Sequence, residues 1–233
     1  MDYGLEVSTK GAAFLRARRP EHKRQRYDAI LDAARELATA ESVNAVSLAG
    51  IAERVGMHKS ALLRYFETRE EIFLRLAEVE WREWADALVA ALADIGPGGG
   101  AERIADTLGR SFSDRPLFCQ LLLHSPLTLE RNVSLDVVRG FKQAAMGAVD
   151  DVAGALHGAL PVLGRDASFE LLAMTGIVAS GMWQAANPPP AVVAVQAELA
   201  CTGASAMAPE MPDFHDAVVR FVRVYLAGLL GAD

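Results

Sequence analysis

Residues 47–66 read SLAGIAERVGMHKSALLRYF, and this stretch decides the fold of the chain. Small Ala52 lies where two helices must approach closely. Four residues later, Gly56 supplies a turn that needs a left-handed backbone. Apolar residues on both sides of the turn are spaced to fill one shared core. They are Ile51, Val55, Met57, Leu62 and Phe66. The spacing predicts a helix-turn-helix, and an ordinary helical hairpin with a glycine turn is the alternative.

The second helix of this motif leaves hydrogen-bond donors, a phenol and a hydroxyl for solvent. They belong to His58, Lys59, Ser60, Arg64 and Tyr65. Groups of this kind bind phosphate oxygens and the base edges of a major groove. The motif therefore predicts a surface for double-stranded DNA. His58 either donates to a phosphate there or is merely exposed at the turn.

Charge is distributed unevenly along the chain, whose net charge is -7. Residues 1–69 carry twelve Lys and Arg against nine Asp and Glu, whereas residues 70–233 carry eleven against twenty-one. This asymmetry is typical of a small nucleic-acid-binding head on a larger acidic body. The densest basic run, residues 16–26, is either a disordered leader or an arm that orders on phosphates or in a minor groove.

Composition favours an all-α fold, because the 52% of hydrophobic residues show little strand-like alternation. No uninterrupted apolar run reaches the roughly 18 residues of a membrane span, and the N-terminus does not read as a secretory signal. Cys119 and Cys201 are far apart, which predicts neither a disulfide framework nor a zinc site. We expect no metal, no cofactor and a cytoplasmic protein.

Helical periodicity and Pro/Gly breaks divide the rest of the chain. A capping-box pattern at residues 68–71 opens a long helix, which ends at the cluster GPGGG, residues 96–100. The predicted helices span about 24–40, 69–95, 101–112, 116–124, 134–158, 166–186, 191–201 and 213–230.

Two of these helices carry more apolar surface than a surface helix needs. The segment 166–186 is apolar on most faces, and 213–230 has a broad apolar stripe that includes Val218 and Tyr225. Such helices are buried either against a partner chain or inside their own bundle. We predict that both pack with their symmetry mates as a four-helix dimer interface.

Residues 24–75 resemble the TetR family of bacterial transcriptional regulators. The resemblance rests on ILDAARELA and VSLAGIAERVGMHKSALLRYFETREEIF, above all on the IAERVG core and on a YF dipeptide followed by a Thr-basic-Glu-Glu helix start. It implies an all-α homodimer with a three-helix head and a helical C-terminal domain that binds a small effector. We therefore divide the chain into a disordered basic arm at 1–21, a helix-turn-helix domain at 22–68 and an effector-binding and dimerisation domain at 69–233.

The resemblance also implies roles for individual residues. Ser47 should cap the second helix and contact a phosphate. Lys59 and Ser60 begin the recognition helix, where relatives meet base edges. Arg64 and Tyr65 lie on its distal turn, where contacts are divided between bases and phosphate.

Two further positions are informative. Arg69 matches the basic residue at the start of the fourth helix that binds the DNA backbone in relatives. Leu63 departs from the family pattern, because many members carry an aromatic residue there. A phenolic phosphate contact is lost as a result, and contact with a thymine methyl becomes possible.

The implied effector cavity should be lined from the long central helices. The candidates are Trp81, Trp84, Phe112, Phe118, Leu122, His124, Asn132, Met146, Met174 and Trp183. Plain core packing is the alternative for each aromatic residue and methionine. The aromatic and methionine content favours an apolar effector over a strongly ionic one.

No catalytic motif is found: the chain lacks a phosphate-binding P-loop, an HExxH pair and a GxSxG turn. Its candidate acid–base residues, His124, His157 and His215, lie in separate segments. The sequence predicts a non-enzymatic repressor, released from a palindromic operator by a small apolar effector. The alternatives are a DNA-binding scaffold or nucleoid-type protein without an effector, and a helical enzyme with an unrecognised site.

Overall fold

The computed structural model describes residues 10–201 and 213–231, with side chains from residue 21 onward in these ranges. These residues form ten α-helices and two short 3-10 turns, and no strand is present among them. The helices are α1 Lys10–Ala40, α2 Leu48–Arg54, α3 Lys59–Leu62, α4 Arg69–Ile95, α5 Ala101–Ser113, α6 Pro116–Leu127, α7 Leu135–Ala159, α8 Arg165–Ala186, α9 Pro190–Cys201 and α10 Phe214–Leu230. The all-α prediction is confirmed.

The first three helices form the head around the predicted core. Ile51, Leu62 and Phe66 are buried, and the ring of Phe66 stacks on Tyr27 of α1 with centroids 4.6 Å apart. Gly56 has φ +68°, the left-handed conformation that the sequence requires at the turn. The head is therefore a helix-turn-helix whose buried side packs against α1.

The N-terminal boundary differs from the prediction. Helix α1 begins at Lys10, so residues 10–21 are helical rather than disordered, while residues 1–9 lie outside the described part of the chain. Residues 12–19 are mostly Ala, Leu and Arg, which are strong helix formers. Helix α1 thus contains Pro20, although a proline removes one helical hydrogen bond and its ring crowds the carbonyl four residues earlier.

Helix α4 joins the head to the body. Its start is capped as predicted, because the hydroxyl of Thr68 accepts a hydrogen bond from the N–H of Glu71 at 3.0 Å. The reciprocal bond is shifted by one residue, since the Glu71 carboxylate accepts from the N–H of Glu67 at 2.7 Å. The first turns of α4 bury Ile72 and Phe73 in the head core.

In the body, α5 and α7 pack against the later turns of α4, α8 packs against α7, and α10 packs against α5 and α8. Helix α6 runs to Leu127, past the break that the sequence predicted before Pro126. The other body helices begin and end within a few residues of the predicted bounds. No helix in the described ranges is long and apolar enough to cross a membrane.

Part of the apolar stripe of α10 packs within its own chain and is not available for the predicted dimer interface. Val218 is fully buried in the core of the body. Tyr225 is half-buried, stacks on Phe221 and donates a hydrogen bond to Glu170 of α8 at 2.5 Å. The large apolar side chain that is exposed on this helix is that of Val224, of which 69% is accessible. The dimer interface stays a prediction, and we expect it to use the face of α10 that carries Val224.

We expect Val224→Glu to convert a dimer into a monomer, because a carboxylate inside an apolar interface loses its hydration without gaining a partner. Val162→Glu is the matched control, since Val162 is 73% exposed in a 3-10 turn outside α8 and α10. Sedimentation velocity measures both. A monomeric wild-type chain, or a dimeric Val224→Glu variant, would contradict the placement of the interface.

Candidate nucleic-acid interface and internal cavity

The recognition segment is shorter as an α-helix than the sequence suggests. Helix α3 is one turn, Lys59–Leu62, and the chain continues to Phe66 through hydrogen-bonded turns, such as Tyr65 N–H to Leu62 C=O at 2.8 Å. Ser47 caps α2 as predicted, with its hydroxyl accepting from the N–H of Gly50 at 3.0 Å. Both features hold the motif rigid while its outer side stays accessible.

The predicted DNA-contacting side chains lie on this accessible side, with one exception. Those of Ser47, His58, Lys59, Ser60, Leu63 and Arg64 are exposed, and that of Tyr65 is half-buried. Leu63 is 43% exposed, an aliphatic contact surface among polar neighbours. His58 is the N-cap residue of α3, but its side chain makes no capping hydrogen bond. The exception is Arg69.

A groove of about 800 Å³ lies beside the recognition segment, between α1 and the turn at Gly56. His22, Lys23 and Arg26 of α1 line one side of it, and Tyr65 lines the other. The sequence showed the basic run but not that α1 would present it next to the recognition turn. A cationic groove adjoining exposed donors matches the anionic backbone of DNA.

Arg69 is committed to the head itself. Its guanidinium donates to the backbone carbonyls of Val43 and Val46, lies 3.2 Å from the carboxylate of Glu70 and sits over the ring of Phe73 at 4.7 Å. Only 19% of the side chain is exposed. In this structure, the guanidinium of Arg69 is therefore not positioned for the predicted phosphate contact. It instead fixes the loop between α1 and α2.

We expect Arg69→Met to reduce the free energy of unfolding by about 1.5–3 kcal/mol, because two buried carbonyls lose a charged donor. Arg64→Met is the control, since exposed Arg64 should change stability by no more than about 0.5 kcal/mol. Urea unfolding followed by circular dichroism measures both.

Unchanged stability in Arg69→Met together with lost DNA binding would contradict this role. It would mean that Arg69 leaves the loop to contact a phosphate.

The body contains an open cavity of about 460 Å³ between α4, α5, α6, α7 and α8. Among the described residues, no charged side chain lines it, and Ser180 supplies the one hydroxyl. The lining residues are Trp81, Trp84, Phe112, Leu122, Leu123, Pro126, Leu127, Ala145, Met146, Val149, Phe169, Leu172, Ala173, Gly176, Ile177, Ser180 and Gly181. Such a wall suits an uncharged apolar ligand.

The structure brings half of the predicted pocket residues to this cavity. Trp81, Trp84, Phe112, Leu122 and Met146 line it. The other candidates, Phe118, His124, Asn132, Met174 and Trp183, do not.

Phe118 is buried behind the wall, where its ring stacks on Trp84 at 5.5 Å. Asn132 is exposed after the 3-10 turn at Leu129–Arg131. Met174 lies on another face of α8, and Trp183 packs against the body core.

The missed signal is a run of small residues on one face of α8. Ala173, Gly176 and Ser180 recur at helical spacing, and an added Cβ at Gly176 would meet nothing within 4 Å. Small side chains on a buried helix face leave volume unfilled. That pattern is readable in the sequence, whereas the choice among aromatic residues is not.

His124 lies on the side of α6 that faces the head rather than the cavity. It is only 9% exposed, and its Nδ1 has no hydrogen-bond partner among the described residues. Burial lowers the pKa of this imidazole, and the nearby Arg69 guanidinium lowers it further. His124 is therefore neutral near pH 7 and is not an effector contact in this structure.

The remaining nucleophiles and acid–base groups are not gathered at the cavity. Burial raises the pKa of the Cys119 thiol to about 12, so it has no thiolate character. His215 lies 3.5 Å from Asp106 and 3.4 Å from the Ser113 hydroxyl, where it joins α10 to α5. None of these four residues lines the cavity.

A helix-turn-helix head with a cationic groove, continued into a helical body with an apolar cavity, defines a DNA-binding regulator with a ligand-binding body. Residues 30–76 match the model of bacterial regulatory proteins of the tetR family, and residues 78–233 match the tetracyclin repressor-like C-terminal domain. The chain belongs to this family, whose members are non-enzymatic DNA-binding regulators, typically homodimeric repressors.

Solved structures share the fold at low identity. The fatty acid degradation regulator FadR from Bacillus halodurans is 14% identical, with 88% of this chain and 94% of that chain covered and a TM-score of 0.51. FadR from Bacillus subtilis, in complex with stearoyl-CoA, is 16% identical, with 89% and 99% covered and a TM-score of 0.50. A TetR/AcrR-family regulator from Thermobifida fusca YX-ER1 is 20% identical, with 90% and 99% covered and a TM-score of 0.50. No curated protein sequence matches the chain.

Proposed function

We propose that this TetR-family regulator is a homodimeric repressor that binds a palindromic operator and is released by a small uncharged apolar ligand. One observation carries the proposal. An apolar cavity, with no charged residue in its wall as far as the structure describes the chain, opens in a body that is joined to the DNA-binding head by the continuous helix α4.

The head supports sequence-specific binding. Lys59 and Ser60 are exposed at the start of α3, where their donors reach base edges when the turn enters a major groove. The α1 residues Lys23 and Arg26 lie beside this turn. We expect their charges to contact the phosphates that flank the half-site. In a two-fold dimer, two such heads read half-sites about 34–36 Å apart.

The chemistry of the cavity narrows the ligand class. FadR from Bacillus subtilis holds stearoyl-CoA, whose nucleotide part carries phosphates. The described part of the chain places no Lys, Arg or His in the wall of this cavity, and the one hydroxyl that it places there, on Ser180, donates to the carbonyl of Ile177 at 2.9 Å. Desolvating a charged ligand there would be costly. We therefore propose a neutral apolar ligand rather than an acyl-CoA.

We expect Lys59→Ala to weaken binding at particular base pairs of the operator, by about 1–3 kcal/mol for a good base contact. Lys23→Ala should weaken all sequences alike and flatten the salt dependence by about one unit of slope. Lys142→Ala, in the body, is the control and should change neither property. The operator is recovered by enrichment from random duplexes, and affinities are measured by anisotropy on singly substituted sites.

Enrichment that returns no inverted repeat would contradict the repressor proposal and favour a nucleoid-type or scaffold protein. Equal losses in the Lys59 and Lys23 variants on every sequence would show that the two roles are assigned wrongly.

The ligand class is tested with N-phenyl-1-naphthylamine, a neutral apolar probe that fluoresces in apolar sites. We expect it to bind the wild-type chain and to lower operator affinity by about 5–150-fold, the range of ordinary allosteric coupling. Gly176→Phe should abolish probe binding by filling the cavity. Gly147→Phe is the control, because Gly147 is exposed on α7 away from the cavity.

A probe that binds in a Gly176-dependent way but leaves operator affinity unchanged would contradict release by ligand. Binding that survives in Gly176→Phe would place the probe outside this cavity.

A further inference from the structure

The loop between α1 and α2 is held by side chains of the body rather than by its own residues alone. The N–H of Val43 donates to Oε1 of Gln120 on α6 at 2.9 Å, across 77 positions of sequence. The carbonyls of Val43 and Val46 accept from Arg69 at the start of α4. Ser47, the cap of α2, follows Val46 directly. The position of this loop therefore sets where the helix-turn-helix begins.

Helix α6 contacts the cavity and the head at the same time. Leu122 and Pro126 line the cavity, whereas Leu117 and Leu121 are buried in the hydrophobic cluster of the head. Gln120 lies between these residues in sequence. At 1.5 Å of rise per residue, the cavity wall at Pro126 is only about 9 Å along the axis from Gln120. A ligand that displaces the wall displaces Gln120 with it.

The hydrogen bond from Val43 is costly to break. Gln120 is 6% exposed and Val43 is fully buried, so water does not replace either partner readily. An orphaned buried amide costs about 1–3 kcal/mol. A movement of α6 therefore strains this bond, which both displaces the loop and lowers the protection of the Val43 amide against hydrogen exchange.

This bond is also the one side-chain hydrogen bond between α6 and the head loop within the described residues. Ser125 and Cys119 of the same helix donate to carbonyls of the body. His124, one turn after Gln120, is buried with its Nδ1 unpartnered in that part of the chain. Among the described residues of α6, Gln120 is therefore the one whose side chain links a movement of this helix to the loop by a hydrogen bond.

We propose that Gln120 is a positioning residue, which transmits occupancy of the cavity from α6 through the amide of Val43 to the start of α2. The inference rests on the proposed function, since it assigns a route to the regulation of the same cavity. The route is distinct from α4, whose contact with this loop runs through Arg69 and the carbonyl oxygens.

The test compares Gln120→Met, which keeps the length of the side chain but removes the acceptor, with Gln120→Glu, which keeps an acceptor oxygen. Gln143→Met, at an exposed position on α7, is the matched control. Two quantities are measured in the full chain with and without N-phenyl-1-naphthylamine: operator affinity, and hydrogen exchange of the Val43 amide.

In the wild-type chain and in Gln143→Met, we expect the probe to weaken operator binding at least fivefold and to accelerate exchange at Val43. In Gln120→Met, exchange should be fast without the probe, and the effect of the probe on operator affinity should fall below twofold. Gln120→Glu should restore both responses. Gly176→Phe, whose added ring occupies the cavity in place of a ligand, should accelerate hydrogen exchange of the Val43 amide even without the probe.

The two readouts separate this inference from the proposed function. If the probe weakens operator binding equally in wild type and Gln120→Met, release by ligand stands and the route through Gln120 is wrong. If the probe binds and accelerates exchange at Val43 only when Gln120 is present, but operator affinity does not change, the route stands and the proposed release is wrong. If neither the probe nor Gly176→Phe alters exchange at Val43 in a chain with Gln120, the inference is overturned.

Discussion

The structure depends on one helix that belongs to two hydrophobic cores. The first turns of α4 bury Ile72 and Phe73 in the head, and its later turns bury Trp84 and Leu92 in the body. Its sequence contains neither Pro nor Gly, so nothing in it favours a kink. Head and body are consequently oriented by the same rigid element, and a change in the packing of one core must be accommodated by the other.

Buried and half-buried charges reinforce this arrangement on the side of α1. Arg35 of α1 lies 2.6 Å from Glu80 of α4 and also contacts the carboxylate of Glu83. Burial raises the pKa of Glu80, although the charge of Arg35 opposes that shift. Removal of Arg35 would leave the carboxylate of Glu80, whose side chain is only 5% exposed, without this cationic partner, which costs more than the pair itself contributes. The pair therefore fixes which faces of α1 and α4 meet.

Arg69 shows how a residue in a DNA-binding motif is used for the architecture of the motif. Five donors in a planar fork allow one guanidinium to satisfy two carbonyls of the loop and still pair with Glu70. The loop has no strand or helix to supply those partners. Without Arg69, the carbonyls of Val43 and Val46 would be buried without a strong donor. The electrostatic contribution of the head to DNA binding then falls on exposed cations such as Lys59, Arg64 and the α1 residues that line the groove.

The sequence predicts the local features well, because they depend on neighbours along the chain. The turn at Gly56, the cap at Thr68 and the bounds of α4 follow from φ preference, side-chain capping and helical periodicity. The predicted start of α1 is wrong for a local reason too, because Pro20 in the sequence indicates a boundary, whereas the helix extends through it into a run of strong helix formers.

The cavity and its connection to the head are not local. Whether Phe118 or Leu122 faces the cavity depends on how Trp81 and Trp84 of another helix fill the space between them. The small residues of α8 indicate free volume, but only the packed structure shows that α6 forms the opposite wall. The bond between Val43 and Gln120 joins a loop amide to a helix 77 residues away, and no periodicity indicates it. Because regulation needs a ligand to bind two arrangements of the head with different affinity, the residues that decide it are these long-range contacts, which carry no sequence motif of their own.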